Sequence, residues 1–187
     1  MGAVGLDTVR REFGGRLRLE WKSYLLRPHP EPKSLEAFRR YTRSWKRPAS
    51  APQAPVFNPW AGDEGPPSHS LPAQVALKAA ACQGLFEPFH LALMKAYFSD
   101  SRDISARETL VDIARNCGLD SAAFAVALDD EELARGVVDE HNQALQAGVS
   151  AVPTVVVDGV LPLPGAQDAA VYRRVIEKRL ELQSRGS

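Results

Sequence analysis

The hydrophobic and polar positions change their period once within the first 26 residues. Residues 4–13 place apolar side chains at helical spacing, and Gly14-Gly15 follows the last of them, which predicts one short helix. Residues 16–26 alternate instead between apolar and charged side chains. A period of two predicts a strand with one buried face, which the turn at Pro28 brings to an end.

The next stretch returns to helical spacing and then loses all periodicity. Ser34 is a suitable N-cap for a helix that runs to about residue 45. Residues 46–70 contain six prolines and little regular pattern, which predicts a long loop. Because this loop carries Phe57 and Trp60, we expect it to pack against the rest of the protein.

The last two thirds of the chain divide into a helical region and a hairpin followed by a helix. Residues 70–147 have helical spacing throughout, and their caps and glycines predict four or five helices. Residues 154–157 then predict a strand, Asp158-Gly159 a two-residue hairpin turn, and residues 160–161 the return strand. A final helix follows Gly165.

Composition and charge exclude several classes of protein. The 23 Lys and Arg residues equal the 23 Asp and Glu residues, so the net charge indicates neither a nucleic acid nor an anionic membrane as partner. No run of 18 apolar residues is present, and the N-terminus lacks the pattern of a secretory signal. With two cysteines there is no disulfide framework, and we expect a cytoplasmic protein.

Three stretches of the sequence resemble the DsbA family, and most closely its FrnE and 2-hydroxychromene-2-carboxylate isomerase branch. Residues 17–28 look like the second strand of that family and the turn after it. Residues 79–110 look like its helical domain. The most specific stretch is GVSAVPT at 148–154, followed by the Asp158-Gly159 hairpin and by Gly165-Ala-Gln167 at the start of the last helix.

The resemblance implies an α/β fold, a thioredoxin-like core with a large all-helical insertion. Residues 1–32 and 148–187 would form the core, and residues 33–147 would form the inserted domain, including the proline-rich loop at 46–70. The family's activity is thiol-disulfide oxidation and reduction, on a peptide or a small thiol. Glutathione would enter as a co-substrate rather than as a bound cofactor. A homodimer is one assembly open to the protein, and the sequence does not specify the oligomeric state.

The resemblance also implies where a substrate would bind. In this fold the bond before the proline of the motif is cis, so Val152-Pro153 would expose its backbone beside the active site. A peptide or glutathione could then pair with Val152 as a neighbouring strand does. We therefore predict Val152, Pro153 and Thr154 as substrate-binding residues, with Trp60 lining a pocket above them; Trp60 packing its own loop is the alternative.

Two parts of the family pattern are missing. The chain has no Cys-Xaa-Xaa-Cys motif and no strand before the first helix, so we predict no catalytic residue. Three explanations stay open: a shortened reading of a longer gene, a redox-inactive member whose second strand pairs directly with the hairpin, or a strand supplied by a partner. A glutathione-dependent isomerase or transferase and a non-catalytic peptide-binding module are the alternative functions.

The remaining reactive side chains have simpler interpretations. Cys82 follows three alanines of a helix and Cys117 precedes Gly118, so both are predicted to be small core residues rather than nucleophiles. The four histidines share no metal-ligand spacing, and no metal site is predicted.

Overall fold

A computed structural model describes residues 2–46, 56–63 and 65–185 of the chain. The part of the predicted loop at 47–55, together with residue 64, lies outside the described residues. The described elements are the helices α1 (Gly2–Phe13), α2 (Leu35–Thr42), α3 (Leu71–Cys82), α4 (Phe86–Phe98), α5 (Arg107–Asn116), α6 (Ser121–Ala127), α7 (Glu131–Gln146) and α8 (Ala169–Arg185), and the strands β1 (Thr154–Val157) and β2 (Leu161–Pro164).

The chain forms two compact units, each with its own core. The first consists of Met1–Trp21 and Gln143–Ser187, and the second of Lys22–Asn142. No described helix is both long and apolar enough to cross a membrane.

The core of the first unit lies between α1, α8 and one face of the hairpin. Val9 and Phe13 of α1 are buried, as their helical spacing predicts, and they pack around Tyr172 of α8, which is 1% exposed. Val155 of β1 and Leu163 of β2 contact the same cluster. These two residues are opposite each other in the antiparallel ladder, so their side chains cover the same face of the sheet.

The hairpin confirms the predicted strands but changes the length of their connection. Asp158 and Gly159 both have positive φ, 52° and 70°, and the backbone N–H of Val160 donates to the Val157 carbonyl at 3.2 Å. The ladder, however, pairs Val157 with Leu161, so three residues connect the strands and the predicted two-residue turn is wrong. Val160 is outside the ladder, and β2 continues to Pro164.

The predicted strand at 16–26 is not a strand in the structure. Gly14–Arg16 form a 3₁₀ turn, and the residues after it are extended without a ladder partner in the part of the chain described here. The sheet of the described residues contains β1 and β2 only, so the direct pairing of this segment with the hairpin is also wrong.

Side chains of the second unit replace a neighbouring strand along residues 23–27. The Ser23 N–H donates to Glu140 Oε2 at 2.7 Å, the Leu25 N–H to His141 Nδ1 at 3.2 Å, and the Arg27 N–H to Ser70 Oγ at 3.1 Å. Every second N–H is therefore bonded, and Ser23 and Leu25 are buried. The predicted buried face is correct only in part, because Leu17 and Leu19 are half-buried and Trp21 is 37% exposed.

The second unit contains most of the predicted helical region, and its buried residues form several clusters. The largest is built on alanines of α3 and includes Phe89, Leu93 and Phe124, each at most 1% exposed. The aromatic cluster contains Phe38, Trp45, Trp60 and their neighbours. The described part of the proline-rich loop packs against the end of α4, since Asn58 N–H donates to the Phe98 carbonyl at 2.8 Å.

Candidate substrate-binding loop

The predicted binding motif lies in a short loop between α7 and β1. Gly148 ends α7 with a φ of 77°, a conformation that glycine adopts without steric cost. The chain then reaches the Val152-Pro153 bond, which is cis, as the resemblance predicted. Thr154, the next residue, is the first of β1.

Two hydrogen bonds hold this loop in place, one on each side of the proline. The Thr154 hydroxyl donates to the Ala151 carbonyl at 2.7 Å, so the threonine side chain closes the turn. The Gly165 N–H donates to the Pro153 carbonyl at 2.8 Å, which ties the loop to the end of β2. Val152 lies between these bonds and is 42% exposed.

The two bonds involve groups that the motif alone did not indicate. The Ala151 carbonyl and the Gly165 N–H support the loop without being predicted site residues. A signal for the second was present, because Gly165 follows the hairpin and has a φ of 79°, which only glycine adopts easily. Gln167 fixes the same corner by donating its side-chain amide to the Pro164 carbonyl at 2.7 Å.

The loop is electrically neutral. Residues 147–157 contain no charged side chain. The first one after them, Asp158, accepts hydrogen bonds from Arg179 at 3.0 Å and from Gln183 at 3.1 Å. The loop itself therefore offers a ligand backbone groups and valine side chains rather than a charge.

The same unit also contains a charged groove, in which the side chains of Glu12 and Arg173 form an ion pair. It encloses about 660 Å³ between α1 and α8. Arg173 donates from Nε and Nη2 to the two carboxylate oxygens of Glu12 at 2.8 and 2.6 Å. These hydrogen bonds hold the pKa of Glu12 below its usual value. Because Arg173 and Glu12 already satisfy each other's charge, this groove is a weaker candidate for a ligand site than the neutral loop.

Trp60 is buried, so its side chain is not available to a ligand in this structure. It is 3% exposed and packs edge-on against Phe38, with ring centroids 5.2 Å apart, and against Tyr97. Its backbone N–H is also engaged, because it donates to the Thr42 hydroxyl at 2.9 Å. The packing alternative describes Trp60 better, and we leave it out of the candidate site.

The prediction that both cysteines are small core residues is not met, because neither is fully buried. Cys82 is exposed at the end of α3, and Cys117 is half-buried after α5; both are free thiols. Burial raises the pKa of the Cys117 thiol, and its Sγ lies 3.7 Å from the Pro88 carbonyl. No group of His, Cys, Asp and Glu among the described residues could hold a metal ion.

Comparison with known proteins places these observations in one family. Residues 5–177 match the model of the DSBA-like thioredoxin domain. The uncharacterized protein YwbO of Bacillus subtilis is 31% identical over 108 residues, which cover 49% of this chain and 52% of that protein. The chain therefore spans about half the length of this curated relative.

Solved structures show the same fold at low sequence identity. The cytosolic disulfide reductase DsbM of Pseudomonas aeruginosa is 23% identical, with a TM-score of 0.73 over 97% of this chain and 92% of that one. The same protein solved with GSH gives 0.74 at 22% identity, over 96% and 92%. A probable DsbA oxidoreductase of Streptomyces coelicolor gives 0.74 at 22% identity, over 95% and 82%. The predicted fold class, a thioredoxin-like core with a large helical insertion, is confirmed.

Proposed function

This chain belongs to the family of DSBA-like thioredoxin domains, and on that premise we propose that it binds peptides or small thiols, glutathione among them, at the loop of Val152, Pro153 and Thr154. We further propose that these 187 residues do not catalyse dithiol-disulfide exchange by themselves. The family relationship supports the class of ligand, and the sequence supports the second part because it has no Cys-Xaa-Xaa-Cys motif.

One observation carries the binding proposal: Val152 is exposed on a loop whose shape is fixed from both sides. The bonds Thr154 Oγ1 to Ala151 and Gly165 N–H to Pro153 limit the movement of the backbone between them. A backbone that is already ordered loses little conformational entropy when a ligand pairs with it. The GSH-bound structure of the Pseudomonas disulfide reductase supports glutathione as the first ligand to test.

Thiol exchange needs an accessible thiolate with a second thiol to resolve the mixed disulfide. The raised pKa of Cys117 makes its thiolate scarce at neutral pH. Cys82 is exposed, but the residue three positions after it, where a Cys-Xaa-Xaa-Cys motif has its resolving cysteine, is Leu85. We therefore propose a role in binding, with redox chemistry left to the ligand or to another protein.

Two finer assignments also stay proposals. Placement in the FrnE and isomerase branch is supported by the motifs at 148–154 and 165–167. A cytoplasmic location is supported by the two free thiols and by the cytosolic disulfide reductase among the structural neighbours.

The binding proposal is tested by titrating glutathione into the ¹⁵N-labelled protein. The same titration is carried out on the Val152→Asp and Val160→Asp variants. We expect saturable shifts of the amides of Val152 and Thr154, and binding about tenfold weaker in Val152→Asp, because its carboxylate repels the ligand's carboxylates. Val160 is 67% exposed at the far end of the hairpin, so the same charge there should leave binding unchanged.

Equal weakening in both variants would mean that net charge rather than the loop controls binding. Shifts confined to other residues, or none that saturate at millimolar glutathione, would reject the proposed site.

A further inference from the structure

The segment just before α3, in the second unit, is fixed by hydrogen bonds on two sides. On one side, Arg27 Nη1 donates to the Pro67 carbonyl at 2.9 Å, and the Glu31 N–H donates to the Ser68 carbonyl at 3.3 Å. On the other side, the Ser68 N–H donates to Ser105 Oγ at 3.1 Å. Both backbone groups of Ser68 are therefore engaged, and the residue is held from two directions.

The hydroxyl of Ser68 contacts an imidazole nitrogen. Ser68 Oγ and His69 Nδ1 are 2.8 Å apart, and both residues are half-buried, so solvent reaches them in part. Ser68 Oγ is also 3.4 Å from Ser105 Oγ, which is longer than an ordinary O–H···O hydrogen bond. Among the described residues, His69 is therefore the better acceptor for the Ser68 proton.

Asp103 determines the direction of the hydrogen bonds around Ser105. Ser105 directs its hydroxyl and its N–H to the same oxygen, Asp103 Oδ1, at 2.6 and 2.8 Å. Because its one hydroxyl proton is committed to the carboxylate, Ser105 Oγ can only accept from Ser68. A proton on His69 Nδ1 would leave the Ser68 hydroxyl with the 3.4 Å contact alone. The set is satisfied when Nδ1 accepts from Ser68 and Nε2 carries the ring proton.

A serine hydroxyl that donates to a neutral imidazole is the arrangement from which serine nucleophiles react. The imidazole takes the proton while the oxygen forms its new bond, so no free alkoxide has to form first. Ser44 provides the contrast within this chain, because it is exposed but its hydroxyl donates to the Tyr41 carbonyl at 2.8 Å. A backbone carbonyl cannot serve as a base, so Ser68 differs from Ser44 in the chemistry of its partner.

We propose that Ser68 is an acyl-accepting nucleophile and that His69 is its general base, with small esters or thioesters as acyl donors. Ser68 Oγ attacks the carbonyl carbon of the donor while its proton passes to His69 Nδ1. The bond from that carbon to the alkoxide or thiolate then breaks, and the leaving group takes the proton from His69. The products are an ester on Ser68 and a free alcohol or thiol, with no change in oxidation state. The inference does not rest on the proposed function.

The surroundings of Ser68 favour a small and uncharged acyl donor. The carboxylate of Asp103, bonded to Ser105, would repel a phosphate group placed at Ser68. Arg27 could offset that charge, but its guanidinium is bonded to the Pro67 carbonyl and lies over the Phe38 ring, 5.9 Å from the centroid. A neutral ester or thioester meets neither obstacle.

The inference is tested on the 187-residue protein carrying Cys82→Ser and Cys117→Ser, so that neither thiol can take the acyl group. With p-nitrophenyl acetate as the donor, we expect one equivalent of p-nitrophenolate to be released and the intact mass to rise by one acetyl group. Peptide mapping by mass spectrometry should place the acetyl group on Ser68. This measurement leaves Ser68 and His69 unchanged, so it decides the question even if a variant of either fails to fold.

Two variants in the same background separate the roles of the two residues. Ser68→Ala should abolish the adduct, whereas His69→Ala should slow acetylation of Ser68 about 100-fold. Added imidazole should restore much of the rate in His69→Ala, measured as adduct on Ser68 because imidazole itself cleaves the ester. Ser44→Ala is the matched control and should leave both the rate and the position of the adduct unchanged.

Acetylation confined to lysines or to the N-terminus, or no adduct at all, would overturn the inference. A Ser68 adduct that forms equally fast in His69→Ala would also overturn it, because the serine would then react without a base. Slower acetylation that imidazole does not restore would give His69 a structural role and remove it as the base. None of these results bears on ligand binding at the loop of Val152 and Pro153, so the proposed function would stand.

Discussion

Glu140 shows how one side chain can supply a hydrogen-bond acceptor that a neighbouring strand supplies in a sheet. Its carboxylate accepts from the Ser23 N–H at 2.7 Å and pairs with Lys78, and its side chain is 15% exposed. Burial alone would raise the pKa of Glu140, but the hydrogen bonds from Lys78 and Ser23 outweigh it and the pKa is lowered. The charged form is therefore the one that the folded protein stabilises.

This sign predicts how stability depends on pH. A carboxyl whose pKa is lower in the folded state stabilises the protein above its unfolded pKa, and the contribution is lost as the pH falls through the folded value. We expect Glu140→Gln to cost about 1–2 kcal/mol in the free energy of unfolding at pH 7. The difference from the wild type should shrink between about pH 5 and pH 3, as urea denaturation at each pH would measure. Parallel pH profiles of the two proteins would contradict it.

At the scale of elements, substitutions at two glycines can separate the effect of backbone conformation on stability from the effect of packing. A Cβ added at Gly159 or at Gly136 would meet nothing within 4 Å, so neither position is crowded. Gly159 has a φ of 70° in the turn between β1 and β2, whereas Gly136 lies inside α7. The same substitution should therefore act in opposite directions at the two sites.

We expect Gly159→Ala to destabilise the protein by about 1 kcal/mol, because an L residue is strained at positive φ. Gly136→Ala should stabilise it by about the same amount, because alanine loses less backbone entropy in a helix. Thermal unfolding of both variants checks the pair. A Gly159→Ala protein as stable as the wild type would show that this turn can adopt another conformation.

At the scale of the whole molecule, the family relationship and the two free thiols determine which activity to expect. Cys82 and Cys117 do not form a Cys-Xaa-Xaa-Cys motif, and we do not expect them to act together as a redox pair. We expect the 187-residue protein with Cys82→Ser and Cys117→Ser to show no turnover in an insulin-reduction assay, and the unsubstituted protein to show none beyond slow exchange at an exposed thiol. Turnover by the double variant would contradict the proposal that this chain binds peptides or small thiols without catalysing dithiol-disulfide exchange.

The sequence by itself determined the family, the first helix, the two strands of the hairpin, and the loop of Val152, Pro153 and Thr154. These features depend on local backbone preferences and on short-range periodicity, which neighbouring residues specify. The period of two at 16–26 predicted the burial of that segment only in part, because Trp21 of its apolar face is exposed.

Only the tertiary structure decided what those segments contact. Whether residues 23–27 form a strand depends on acceptors that come from Glu140, His141 and Ser70, far away in the chain. Trp60 is covered because Phe38 and Tyr97 pack against it, whereas Cys82, at the end of α3, is exposed. Long-range contacts are set by the packing of whole elements, and a pattern of near neighbours cannot specify them.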